Sequence, residues 1–93
     1  MATREELEQY WARTRQLLNE AVAFVPVNDY QMLKQYSDYL DHNELELAMD
    51  ELVSVGEEKK YTAEFFKPLR TAAVIMGLTG RANEIESLIE SIK

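Results

Sequence analysis

The chain has 93 residues, a formal net charge of −7 with its one histidine neutral, and no cysteine. This length supports a single core, so we expect residues 1–93 to form one helical domain, and the lack of cysteine excludes disulfides and thiolate metal sites. Since no apolar signal core and no run of 18 apolar residues occurs, we expect a soluble, cytoplasmic protein.

The first predicted helix begins after Thr3 and ends before Pro26. Thr3 and Glu6 have the spacing of a capping box, in which the threonine hydroxyl accepts a hydrogen bond from the amide three residues later. Pro26 restricts the residue before it and lacks an N–H donor, so it ends the helix. The inward stripe at helical spacing is Leu7, Tyr10, Trp11, Leu17, Leu18, Ala21, Val22 and Val25.

Two helices separated by a short turn are predicted next. Asn28 or Asp29 should cap the second helix. Asn43 should cap the third, with Glu46 at its third position, and Gly56 should supply the left-handed residue that ends it. The inward residues are Met32, Leu33, Tyr36, Tyr39 and Leu40 in the second helix and Leu45, Ala48, Met49, Leu52 and Val53 in the third.

Residues 57–60 are predicted to form a polar loop before a fourth helix. Thr62 should cap this helix, and Tyr61 is placed to pack on Phe66. Pro68 lies inside the helical pattern, so it should bend the helix or move its start towards Pro68.

Gly77 followed by Leu78 has the pattern of a left-handed glycine and its hydrophobic contact, which ends the fourth helix. A fifth helix is predicted over residues 80–91. No alternating strand pattern occurs in the sequence. The sequence therefore predicts an all-α fold, a compact bundle of four to five short helices, with most aromatic side chains in the core.

An acidic segment, residues 38–58, contains eight carboxylates and neither lysine nor arginine, while the rest of the chain sums to +1. This charge repels nucleic acid and anionic membranes and attracts a basic surface. Two interpretations stay open, a solvated helical face and a protein-binding surface. The binding interpretation is favoured by Leu47, which lies off the apolar stripe near Asp50 and Glu51, with Val55 further along the same face.

The candidate partner-binding residues share the second and third helices and the turn between them. For Tyr39, a core position and an interface position are both open, whereas a core position is expected for Tyr36. The complete set is Tyr39, Asp41, Glu44, Glu46, Leu47, Asp50 and Glu51.

Catalytic and metal-binding signatures are weak. His42 lies close to carboxylates, but one histidine without ligand spacing is more typical of a polar helix break than of a metal site. No GxSxG, P-loop, GxGxxG or cysteine nucleophile occurs. The basic residues are scattered and form no stripe for nucleic acid. We therefore expect no enzyme activity, no cofactor, no metal, and no binding to nucleic acid or membrane.

The central sequence resembles the MafI-like immunity proteins of bacterial polymorphic toxin systems. The resemblance rests on an aromatic helix that ends in Asp41-His42-Asn43-Glu44, on the helix over residues 45–52, and on Met76-Gly77-Leu78. It covers about residues 29–78. It implies an immunity protein that binds and neutralises a cognate toxin with a basic surface, a class that includes nucleases.

The alternative is a small helical structural or regulatory module. Such a module could be a homodimer that uses Leu47, Val55, Val74 and Ile75. We expect a monomer or a weak homodimer.

Overall fold

The computed structural model describes residues 3–92, which form five α-helices and a 3₁₀ helix and contain no strand. The all-α prediction is confirmed; residues 1, 2 and 93 of the predicted single domain lie outside the described range. The elements are α1 (Arg4–Val22), the 3₁₀ helix (Val27–Leu33), α2 (Lys34–Asp41), α3 (Leu45–Lys59), α4 (Ala63–Ile75) and α5 (Thr79–Ile92).

Helix α4 lies at the centre of the bundle. It packs against α1, α3 and α5, while α2 packs mainly against α3. Its inward side is apolar, and burying each large side chain stabilises the fold by about 1.5–3 kcal/mol. The largest side chains with almost no exposure are Leu18, Met49, Leu52, Phe65, Phe66, Leu69 and Ile85.

The N-terminal half of the predicted α1 stripe does not reach the core. Leu7 is 40% exposed and Trp11 is 38% exposed, so their predicted inward positions are wrong. The first fully buried residue of α1 is Thr14, whose hydroxyl donates to the Tyr10 carbonyl over 2.9 Å. This hydrogen bond satisfies the one polar group that α1 buries.

The connection between α1 and α2 differs from the prediction. Helix α1 ends at Val22, and a 3₁₀ helix replaces the expected start of the second α-helix. Asp29 does not cap a helix, because its carboxylate accepts a hydrogen bond from the Tyr61 hydroxyl at 2.6 Å and lies 3.7 Å from Lys59 Nζ. Within this connection Phe24 and Tyr30 are half exposed, contrary to the expected core position.

Helix α3 does not end at Gly56. It continues to Lys59, and the left-handed residue is Lys60 with φ of 57°, so the predicted polar loop is wrong. Gly56 is required for a different reason, because a Cβ there would lie 2.5 Å from Phe65 Cε2 and 2.8 Å from Phe66 Cζ. The two rings meet edge to face, with centroids 5.1 Å apart.

Helix α4 begins after Thr62, as predicted. Pro68 lies inside the helix, so the alternative start near Pro68 is wrong. The threonine side chain makes no capping bond; its carbonyl accepts from the Phe65 amide at 3.1 Å. Tyr61 packs edge to face on Phe65 rather than on Phe66, with ring centroids 4.9 Å apart.

Two helix-terminal predictions are confirmed in detail. At the start of α1, the Glu6 amide donates to Thr3 Oγ1 over 3.1 Å. At the end of α4, Gly77 has φ of 74° and its amide donates to the Val74 carbonyl, while the Leu78 amide donates to the Ala73 carbonyl. This pair of bonds is a Schellman motif.

Substitution of Gly56 by alanine tests the contact between α3 and α4. Alanine favours a helix by about 1 kcal/mol over glycine, but overpacking a core costs about 1–3 kcal/mol. Because both facing rings are buried, we expect a net loss of up to about 2 kcal/mol in the free energy of unfolding, measured with urea. Gly80→Ala is the matched control, because a Cβ added at Gly80 would meet no atom of residues 3–92 within 4 Å beyond its chain neighbours and its own helix backbone. The helix should therefore gain stability, and equal effects of the two changes would contradict the contact.

Candidate functional site

The turn between α2 and α3 is a second Schellman motif. Asn43 is left-handed with φ of 56°; its amide donates to the Leu40 carbonyl, and the Glu44 amide donates to the Tyr39 carbonyl at 2.8 Å. Asn43 therefore ends α2 and does not cap α3. The N-cap of α3 is Glu44, so Glu46 occupies the second helical position and not the third.

Arg15 of α1 holds this turn in place. Its guanidinium donates to the Leu40 carbonyl over 2.7 Å and to Asn43 Oδ1 over 3.2 Å. A carbonyl at a helix C-terminus carries partial negative charge, so a guanidinium is a favourable donor to it. Arg15 is 28 residues from Asn43 in sequence, which is why sequence reasoning did not find this contact.

His42 lies in the same turn and is fully exposed. Its Nδ1–H donates to the Asp38 carbonyl over 2.8 Å. This hydrogen bond raises the pKa of His42 above its usual value, and the carboxylates of Glu44, Asp41 and Asp38 raise the pKa further. Because of the hydrogen bond to Asp38, the imidazole is directed back onto α2.

Most of the predicted binding residues are exposed along the end of α2, the following turn and α3, and this exposed surface is the candidate face. Asp41, Glu44 and Glu46 are exposed, and Leu47 is 44% exposed between them and the next turn of α3. On the helix, Glu44 lies one turn before Leu47, and Glu51 lies one turn after it with partial exposure.

Tyr39 and Asp50 are less available than predicted. Tyr39 is half-buried and packs against the border of the core. Asp50 Oδ2 lies 2.8 Å from Arg81 Nη2 of α5, and its Oδ1 is buried without a hydrogen-bond partner within the described residues. The hydrogen bond to Asp50 is the main cause of a raised Arg81 pKa. Asp50 therefore links α3 to α5. We exclude it from the open surface, which consists of the exposed residues near it.

The remaining carboxylates of the acidic segment are unusual in their lack of partners. Of the eight, only Asp50 has a basic group within 4.0 Å among residues 3–92, whereas six of the nine acids elsewhere have one. Apart from the pair of Lys59 with the less exposed Asp29, those other pairs lie on the surface and are individually weak. The contrast matters for the surface potential, because the charge of the acidic segment is not locally neutralised.

Tyr36 and Val55, which lie close to this face in sequence, are both buried. Tyr36 is a core residue, as predicted; burial raises its pKa to about 12, and its hydroxyl donates to Asn19 Oδ1 at 3.0 Å. Val55 is 3% exposed, so its predicted place beside Leu47 is wrong. Eight residues rotate a helix by about 80°, which turns Val55 towards the core.

The candidate face is not a cleft. One surface pocket of about 410 Å³ lies between α3, α4 and α5, and another of about 650 Å³ between α1, α4 and α5; none of the seven candidate residues lines either. Across residues 3–92 no group of three metal-binding side chains converges, and none of the helices is long and apolar enough to span a bilayer. An open face suits contact with another macromolecular surface.

Comparisons with family models, with curated proteins and with solved structures found no match to this chain.

Replacement of Arg15 tests the support of the turn. Arg15→Ala removes two hydrogen bonds from a charged donor and should lower the free energy of unfolding by about 1–3 kcal/mol. Hydrogen exchange of the Glu44 amide should accelerate more than that of the α4 amides, because the bonded turn opens first. Arg13→Ala, two residues away and half exposed, is the control and should change stability by less than about 0.5 kcal/mol. Unchanged Glu44 exchange would show that Arg15 does not hold the turn.

Proposed function

We propose that this chain is an immunity-type binding protein that neutralises a bacterial toxin with a basic surface, a class that includes nucleases, in the cytoplasm. The binding surface is the α2–α3 face, defined as Asp41, Glu44, Glu46, Leu47 and Glu51. The observation that carries the proposal is that seven of the eight carboxylates in the acidic segment have no basic partner within residues 3–92. In this proposal the chain acts by stoichiometric binding, without catalysis or a cofactor.

The charge of this face supports fast association. A nuclease that acts on an anionic substrate carries a basic surface, and the unpaired carboxylates attract that surface over distances up to the Debye length, about 8–10 Å at physiological salt. Such steering raises association rates by orders of magnitude at low ionic strength and suppresses acidic partners. An acidic face that covers a nuclease site also excludes the nucleic acid by like charge.

The apolar centre of the face supports slow dissociation. Leu47 is 44% exposed and has Glu44 and Glu51 one turn away on either side. An apolar residue within a polar rim loses its remaining water contact on binding, whereas the rim carboxylates stay partly solvated. Asp50 contributes by fixing α3 to α5 through Arg81, so that the face is rigid before binding.

Reversal of two charges tests the steering. The partner in the experiment is the toxin encoded by the gene beside the one for this chain. Glu44→Lys combined with Glu51→Lys should reduce the association rate about 10–100-fold at low salt, and the difference should shrink as ionic strength rises. Protection of cells that express the toxin should fall in parallel.

The matched control carries the same change in net charge at exposed positions outside the acidic segment. Glu5→Lys combined with Glu90→Lys should leave association within about threefold of the original chain, because both positions lie outside the proposed face. The proposal is wrong if the neighbouring toxin forms no complex, or if the two double variants lose association rate equally.

Truncation of Leu47 tests the apolar anchor separately from the charges. Leu47→Ala should raise the dissociation rate about 5–30-fold while the association rate stays nearly constant, as expected for an anchor residue worth about 1–2 kcal/mol. Its exposure predicts a change in folding stability below about 0.5 kcal/mol. Val74→Ala, at a 61% exposed position on α4, is the control and should leave both rates unchanged. An unchanged dissociation rate for Leu47→Ala would exclude it as an anchor.

A further inference from the structure

The N-terminal half of α1 is an amphipathic helix without a partner in the bundle. Every residue from 4 to 13 is exposed except the half-buried Tyr10, and burial of α1 begins at Thr14. Leu7, Tyr10 and Trp11 belong neither to the buried core nor to the partly buried residues that border it. A segment of about three helical turns, with these three side chains on one side, is therefore left open at one end of the molecule.

The open stripe continues the buried one in the same heptad phase. Taking Leu7 as position a places Thr14 and Ala21 at a as well, and Tyr10 and Leu17 at d. The bundle covers this seam from Thr14 onwards. The same seam before Thr14 has the composition of a helix-packing surface, and no residue of it is fully buried by the rest of residues 3–92.

We propose that residues 4–13 of α1 pair antiparallel with the same residues of a second copy of this chain. This surface is separate from the α2–α3 face, and the proposal does not depend on toxin binding. A two-fold axis near the middle of the segment places Leu7 of one copy against Tyr10 of the other, and the reverse.

Charge complementarity supports this partner and this orientation. Glu6 and Arg13 are seven residues apart and lie on the same edge of the stripe, at position g. In an antiparallel pair, Glu6 of each copy faces Arg13 of the other, so the contact forms twice. Both groups are available, because Glu6 has no ion pair within residues 3–92 and Arg13 reaches Glu20 only at 4.0 Å between half-exposed side chains.

The opposite edge of the stripe is also self-complementary. Arg4 and Trp11 are seven residues apart at position e. The Arg4 side chain is 93% exposed, and its ion pair with Glu8, at 3.3 Å on the open surface, is of the weak kind that a second copy can replace. In the same register, the guanidinium of Arg4 lies against the indole of the second copy, a favourable cation–π contact. A parallel pair would instead bring Glu6 beside Trp11 and leave Arg13 without an acidic partner.

The small size of this surface predicts a weak dimer. Three turns of helix bury much less than the roughly 800 Å² per partner of a stable interface. We expect a dissociation constant on the order of 100 µM, which sets the concentrations for the test.

Trp11 is the only tryptophan, so its fluorescence reports directly on this contact. Sedimentation equilibrium and emission spectra are recorded from about 5 µM to about 1 mM, a range chosen for a weak interface. We expect the average mass to rise towards that of a dimer and the emission to shift to shorter wavelength over the same range. A monomer mass up to the highest concentration would overturn the proposal.

Charge exchange distinguishes this pairing from any other dimer. Glu6→Arg and Arg13→Glu should each weaken the dimer at least fivefold, because each creates two like-charge contacts. An equimolar mixture of the two variants, or the double variant, should restore it. Glu90→Arg, an equal charge change on α5, should leave the dimer unchanged, and circular dichroism verifies that each variant is folded. A dimer that is insensitive to the single changes, or not restored by the mixture, would place the contact elsewhere.

Discussion

The close approach of α3 to α4 at Gly56 is the contact on which the rest of the bundle depends. The two phenylalanine rings of α4 occupy the space that any side chain at position 56 would need. Tyr61 extends the same aromatic group and bonds to Asp29, so the contact also fixes the 3₁₀ connection. The same orientation of α3 leaves Leu47 exposed and buries Met49 and Leu52.

Two arginines hold the acidic segment from outside it, and neither neutralises its open face. Arg15 bonds to the backbone and the amide side chain of the α2–α3 turn, not to a carboxylate. Arg81 pairs with Asp50 at the side of α3 that faces α5. The segment is thus attached at two points, while most of its carboxylates have no basic partner among residues 3–92. Repulsion between these like charges costs folding stability. A binding function gives that cost a physical reason.

Local features of the fold could be predicted from sequence, and contacts between distant residues could not. Thr3 and Gly77 act through bonds within a few residues, so their patterns sufficed. Asn43 shows the limit of such patterns, because asparagine favours both a helix N-cap and the left-handed position after a helix. The pattern identified the turn and assigned the residue to the wrong helix.

The predictions for Gly56 and Asp50 were wrong for a different reason. Glycine near the end of an apolar pattern is usually a terminator, and only the rings of α4 reveal that Gly56 is needed for space. Asp50 belongs to an acidic run in sequence, yet its partner is on α5. The exposure of each predicted residue could therefore not be read from the acidic run alone, since the pairing of Asp50 depends on a residue from another helix.

The two proposed surfaces differ in whether they can recognise a copy of themselves. The α2–α3 face carries charge of one sign, so two copies brought together there would repel, and the face stays free for a partner of opposite sign. The open half of α1 carries acids and bases seven residues apart around an apolar stripe, and an antiparallel two-fold axis turns that alternation into attraction. The two proposals thus place self-association on α1 and the binding of a different partner on the acidic face, on separate helices.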